Sequence, residues 1–242
     1  MKEKLHTIPV NEAFDNDGEC PVCNMRKELE TRAIDFTMGP SYMEDDVRAE
    51  TSRWGFCGAH IELLYKNQNR LGLALILKSH MDKVIKDVEK LTGSSSRIQA
   101  PSIFRKQQTD NSGLVSYIEE LDKSCYICDK INRTFDRYIA TIFYLYRQED
   151  EFRQKFRKSK GFCGHHYGML YKHAPKHLSG EQLKDFISEL DSLYLDNMKR
   201  VRDDLDWFID KFDYRYADEP WKNSKDALPR TIIKTNSIIL GK

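Results

Sequence analysis

The side chains that could do chemistry are six cysteines and two histidines in a repeated arrangement. Cys20-Pro21-Val22-Cys23 and Cys125-Tyr126-Ile127-Cys128 are CxxC pairs. Gly55-Phe56-Cys57-Gly58-Ala59-His60 and Gly161-Phe162-Cys163-Gly164-His165-His166 each end in CxxH. Each CxxC is followed, after 33 or 34 residues, by a CxxH. A tetrahedral metal site needs four soft or borderline donors, and two such knuckles supply them. The order along the chain assigns Cys20, Cys23, Cys57 and His60 to one site, and Cys125, Cys128, Cys163 and His166 to a second. Every cysteine is used, and His166 rather than His165 falls where His60 does. Pro21 suits the first position of a helix, whose exposed N–H groups and dipole stabilise thiolate at Cys20. The glycines beside Cys57 and Cys163 are expected to let backbone N–H groups approach the sulfurs. Zinc, two per chain, is the expected metal, with an iron–sulfur cluster as the alternative. Four protein ligands leave no open position for water, so the sites read as structural. A thioredoxin-like use of CPVC would need a βαβ context that the sequence lacks.

The elements that must position these residues read as helices, in two copies. Glu44 to Arg48 matches Glu149 to Arg153, and Leu64-Tyr65-Lys66 matches Leu170-Tyr171-Lys172. Helical spacing runs through Val22, Met25, Leu29, Ala33 and Phe36, with a short helix expected from Tyr42 to Arg53. A stripe from Ile61 through Leu64, Leu71, Leu75, Val84 and Val88 to Leu91 completes the first copy. In the second, Ile131, Phe135, Tyr138, Ile142 and Leu145 mark one helix. Leu183, Phe186, Leu190, Leu193, Val201, Leu205, Phe208 and Phe212 mark another, a rod of roughly 45 Å at the helical rise. The expected architecture is all-α: two homologous helical repeats, each closed by its own Cys3His site, with an irregular C-terminal segment. The expected boundaries are 1–91 and 114–212 for the repeats, 92–113 for a polar linker, and 213–242 for a tail packing on the helices with Trp221 as anchor. Ile232 to Leu240 reads as β-leaning.

The duplicated CxxC…GFCGxH pattern, with Asp218-Glu219-Pro220-Trp221 and Ser224-Lys225-Asp226-Ala227-Leu228-Pro229-Arg230 after it, resembles an uncharacterised family of bacterial cytosolic proteins of about this length. The resemblance implies a helical protein with cysteine pairs and carries no activity with it.

Composition narrows the partners. Lys+Arg 39 against Asp+Glu 38 gives a formal net charge of +1, which excludes a whole-chain polycation. No stretch is apolar enough to span a membrane, and the first residues lack the pattern of a secretory signal, so a cytoplasmic protein with reduced thiols is expected. Arg147 to His177 holds eight Lys/Arg, three acids and four histidines among Phe152, Phe156, Phe162, Tyr167 and Tyr171. That stretch is either a solvated helix face or a nucleic-acid surface. His173 and His177 have helical metal spacing, but Pro175 is expected to spoil the helix between them. Asp45-Asp46 and Asp203-Asp204 read as surface charges, and no nucleotide-binding or hydrolase motif occurs. The expected function is a zinc-binding, non-enzymatic scaffold or adaptor for a protein partner. The alternatives are an iron–sulfur or thiol-based redox or sensor protein and, more weakly, a nucleic-acid binder.

Overall fold

The computed structural model describes residues 6–93 and 113–240. The expected polar linker falls almost wholly on 94–112, outside the described residues. Among the described residues there are eleven α-helices and no strand: α1 Thr7–Asp15, α2 Pro21–Met38, α3 Asp45–Trp54, α4 Gly58–Lys66, α5 Arg70–Gly93, α6 Gly113–Lys123, α7 Tyr126–Gln148, α8 Asp150–Lys158, α9 Gly164–His177, α10 Gly180–Asp210 and α11 Ala227–Asn236. They form two compact units. One comprises Met1–Leu29 with Arg133–Lys242, and the other comprises Glu30–Asn132. The division cuts α2 and α7 internally, so the units do not follow the two sequence copies.

The larger unit is built on an aromatic core. The buried face of α7 runs Phe135, Tyr138, Ile139, Ile142, Phe143, Leu145 and Tyr146. Phe152 and Phe156, one helical turn apart on α8, are fully buried with it, as are Phe162 and Phe186. Phe14 of α1 meets Phe152 edge-on at 4.9 Å, and Phe186 of α10 lies 4.9 Å from Tyr146 and 5.1 Å from Phe143. Each such ring contributes about 2–3 kcal/mol by leaving water. Phe152, Phe156 and Phe162 are therefore core residues and offer no stacking face to a base. Many bases of the same stretch are also paired: Lys155 with Asp15, Arg157 with Glu189, Lys160 with Asp17.

The smaller unit packs α3 and α6 on α5. Arg48 donates to Ser79 Oγ at 2.7 Å, His80 Nδ1 meets the Ser52 carbonyl at 2.7 Å, and Tyr117 reaches Asp87 from α6. The single stripe expected over 61–91 is interrupted. Gln68 adopts φ 73, the chain turns, and Asn69 Oδ1 accepts from Gly72 N to start α5 in a new phase. Leu71 is consequently exposed, while Leu73 and Ile76 are buried.

Three further expectations change. Pro175 lies inside α9, which continues to His177. A proline only two residues from a helix end forfeits little of the hydrogen-bond ladder. Phe212 falls beyond the end of α10 and is exposed. Most of the segment expected to lean toward β is α11, with Pro229 in its first turn, the position a helix tolerates. Ala227 and Lys234 are buried on one side of it, and α11 packs against α10 and α9. Tertiary packing there overrides the β-branched residues Thr231, Ile232 and Ile233.

Candidate metal centres

All four knuckles share one local construction. Cys20, Cys57, Cys125 and Cys163 sit immediately before α2, α4, α7 and α9, with their carbonyls accepting the first helical bonds. The second donor of each pair, Cys23, His60, Cys128 or His166, lies three residues on, in the first turn. The i, i+3 spacing puts both donors on one face of a helix N-terminus. That end carries free N–H groups and positive partial charge, which stabilise thiolate. His166 N donates to Cys163 Sγ at 3.4 Å and Cys128 N to Cys125 Sγ at 3.5 Å. These first-turn amides make the N–H contacts expected of the glycines. Gly55 and Gly161 serve differently: at φ 56 and 70 they reverse the chain before each CxxH. A Cβ on Gly161 would meet the Leu193 carbonyl oxygen at 2.7 Å.

The eight side chains gather into two groups, each with its donor atoms within 4.8 Å of one another: Cys20, Cys23, Cys163 and His166 in the larger unit, and Cys57, His60, Cys125 and Cys128 in the smaller. There are two Cys3His groups, but their pairing corrects the order expected from the sequence. Each CxxC meets the CxxH of the other copy. The helices of each expected hairpin are unequal: α2 has 18 residues against 10 in α3, and α7 has 23 against 9 in α8. A shorter second helix does not by itself carry a CxxH level with the CxxC of its own copy.

The geometry fits one ion per group. His166 Nδ1 lies 3.5, 3.3 and 3.1 Å from the sulfurs of Cys20, Cys23 and Cys163. His60 Nδ1 lies 3.2, 3.3 and 3.3 Å from those of Cys57, Cys125 and Cys128. The sulfurs of Cys23 and Cys163 are 3.6 Å apart, and those of Cys57 and Cys128 are 3.9 Å apart. A tetrahedron with metal–sulfur and metal–nitrogen bonds of about 2.3 and 2.0 Å has S–S and S–N edges of about 3.8 and 3.5 Å. A disulfide would need about 2.05 Å, and all six cysteines are free.

The surroundings differ. The Cys20 group is sealed, with exposures of 1, 4, 0 and 2% at Cys20, Cys23, Cys163 and His166. Ser237, in the left-handed turn that ends α11, donates its hydroxyl to Cys163 Sγ at 3.0 Å. Lys234, fully buried, donates to the carbonyls of Glu19 and Lys160, the residues leading into the two knuckles, and its ammonium is 3.4 Å from Glu19 Oε2. Arg200 donates to the same Glu19 oxygen. Burial pushes the Lys234 ammonium below its ordinary pKa, against the pull of Glu19. His166 Nε2 is buried without a partner. In the Cys57 group, Cys57 and Cys128 are partly exposed, and His60 Nε2 faces Glu30 Oε1 at 3.4 Å. This carboxylate–histidine pair presents Nδ1 to the sulfurs. Ser124 Oγ donates to the Trp54 carbonyl and Tyr126 N to the Gly55 carbonyl, which binds the start of α7 to the turn before Cys57.

Each group has one thiol drawn toward thiolate, the one that caps the CxxH helix. Cys163 is pulled far below the usual thiol range by hydrogen bonds from Cys20 and Cys23, which outweigh its burial, with His166 adding to them. For Cys57, burial pushes upward, but the His60 amide and the thiols of Cys125 and Cys128 bring it below the usual value. Burial raises Cys20 and Cys128 to about 12. His165 is exposed. Lys234, Ser237, Glu19 and Glu30 carried no motif in the sequence. The one available signal was Lys234, a lysine seven residues after Ala227, on the apolar side of α11.

Among the described residues, eleven helices carrying two Cys3His groups, each assembled from two helix N-termini, define an all-α protein with paired four-donor sites that could hold metal ions. The chain belongs to the Family of unknown function (DUF6062), whose profile matches residues 1–242. No curated protein and no solved structure matches it. No helix among the described residues is long and apolar enough to cross a membrane.

Proposed function

We propose that this protein is a zinc-binding, non-enzymatic helical scaffold or adaptor that holds one zinc in each Cys3His group and presents a helical surface to a protein partner. The observation that carries this reading is the closed set of four donors at single-ion distances in both groups. Zinc prefers tetrahedral sulfur and nitrogen donors, and a site with four protein ligands leaves no position for a reacting water. An iron–sulfur cluster would distribute the protein donors over several irons, beyond the edges of one tetrahedron. Six unpaired thiols suit a reducing compartment such as the cytoplasm. The two zinc ions would clamp pairs of helix starts, so their binding energy is folding energy.

The test is anaerobic and aerobic purification followed by elemental analysis and a visible spectrum. Two equivalents of zinc and a colourless protein support the reading. A brown chromophore overturns it in favour of an iron–sulfur protein. If stripping the metal leaves far-UV dichroism and melting unchanged, the structural role fails.

A further inference from the structure

The two groups share a donor set, but they do not share access. In the Cys20 group all four donors are buried, Ser237 bonds the Cys163 sulfur, and Lys234 ties together the backbones leading into both knuckles. In the Cys57 group two sulfurs, Cys57 and Cys128, are partly exposed and adjacent at 3.9 Å, while Cys125 and His60 lie buried behind them. Metal-bound thiolates remain nucleophilic, and oxidation of cysteine follows thiolate character and exposure together. Held by zinc as thiolates, Cys57 and Cys128 combine both, and their 3.9 Å separation sets a resolving sulfur alongside the attacked one.

Resting on the zinc reading above, we propose that the Cys57/His60/Cys125/Cys128 group is a peroxide-responsive metal site, whereas the Cys20/Cys23/Cys163/His166 group holds its metal permanently. One exposed thiolate attacks hydrogen peroxide, breaks the O–O bond, becomes a sulfenic acid and releases hydroxide. The neighbouring thiolate attacks that sulfur, forms the Cys57–Cys128 disulfide and expels a second hydroxide. Two thiolates and one peroxide thus give one disulfide and two hydroxides. Sulfur loses two electrons and peroxide gains them, and the zinc charge is unchanged. The zinc, left with Cys125 and His60, dissociates. A dithiol reductant and free zinc reverse the change.

The test uses the full chain loaded with zinc. Hydrogen peroxide is added in the presence of a zinc-reporting dye, with intact mass and peptide mapping after alkylation of free thiols. The expected result is release of one zinc of the two, loss of two hydrogens, and a Cys57–Cys128 link, with the second zinc leaving at least about tenfold more slowly. Dithiothreitol with zinc should restore two equivalents. Release of both ions at one rate, first release from the Cys20 group, or oxidation to sulfinic acid without that disulfide would each overturn the proposal while leaving the zinc reading standing. Protein that binds no zinc even when prepared anaerobically would sink the zinc reading and this proposal with it. Ser237→Ala supplies a second measurement. It should quicken loss of the slow zinc and leave the fast one unchanged, and the opposite pattern counts against the assignment.

Discussion

Cys57→Ser separates the observed pairing from the one that chain order suggests. In the structure Cys57 shares a group with His60, Cys125 and Cys128. A serine hydroxyl is a hard, neutral donor and a poor replacement for thiolate. A structural zinc contributes about 10–16 kcal/mol to small metal-dependent folds, so one ligand of four accounts for about 3 kcal/mol. That corresponds to about two orders of magnitude in affinity, confined to one group. The assay is brief alkylation at a chelator concentration that the wild-type protein withstands, followed by peptide mapping. Cys125 and Cys128 should become reactive, although they lie some seventy residues along the chain (57 to 125 and 128). Cys20, Cys23 and Cys163 should stay protected. The reciprocal Cys163→Ser should expose Cys20 and Cys23 instead. If Cys57→Ser unmasks Cys20 and Cys23 and spares Cys125 and Cys128, the pairing across the two copies is wrong.

Other substitutions test the supports. Lys234→Met removes two donated bonds and an ion pair from a buried clamp, and should cost about 3 kcal/mol in denaturant unfolding of the zinc-loaded chain; a loss well under 1 kcal/mol would show the clamp idle. Glu30→Gln weakens the partner of His60 Nε2 and should lower zinc affinity of the Cys57 group about tenfold, read by competition with a chelating dye, with no change at the other group. Gly161→Ala must hold an alanine at φ 70 with its Cβ against the Leu193 carbonyl, and should lose about 2 kcal/mol or more. Gly58→Ala, in a helical first turn with open space around it, should be neutral or slightly stabilising when both glycine variants are compared by thermal melting.

What could be read from the residues was whatever is local. The i, i+3 knuckle needs only one turn of helix, so its eight residues and the helical stripe of α7 could be picked out from spacing alone. Which knuckle meets which depends on where long helices end. An 18-residue α2 followed by a 10-residue α3 makes an unequal pair, and Cys57 meets Cys125 and Cys128 rather than Cys20. Those lengths were half visible: the stripe ending at Phe36 and the short helix from Tyr42 to Arg53 were both marked in the sequence. The phase break at Gln68 was not, because nothing in Asn67-Gln68-Asn69 demands a left-handed residue at its centre. The C-terminal segment was hidden for a different reason. Its β-branched residues argue locally for extended chain, and only contact with α9 and α10 makes a helix of it. That helix places Lys234 and Ser237 on the Cys20 group and leaves the Cys57 group without the same seal. The difference between the two sites therefore lies outside the duplicated ligand motifs, in a segment that occurs once in the chain, and alignment of the two copies could not have revealed it.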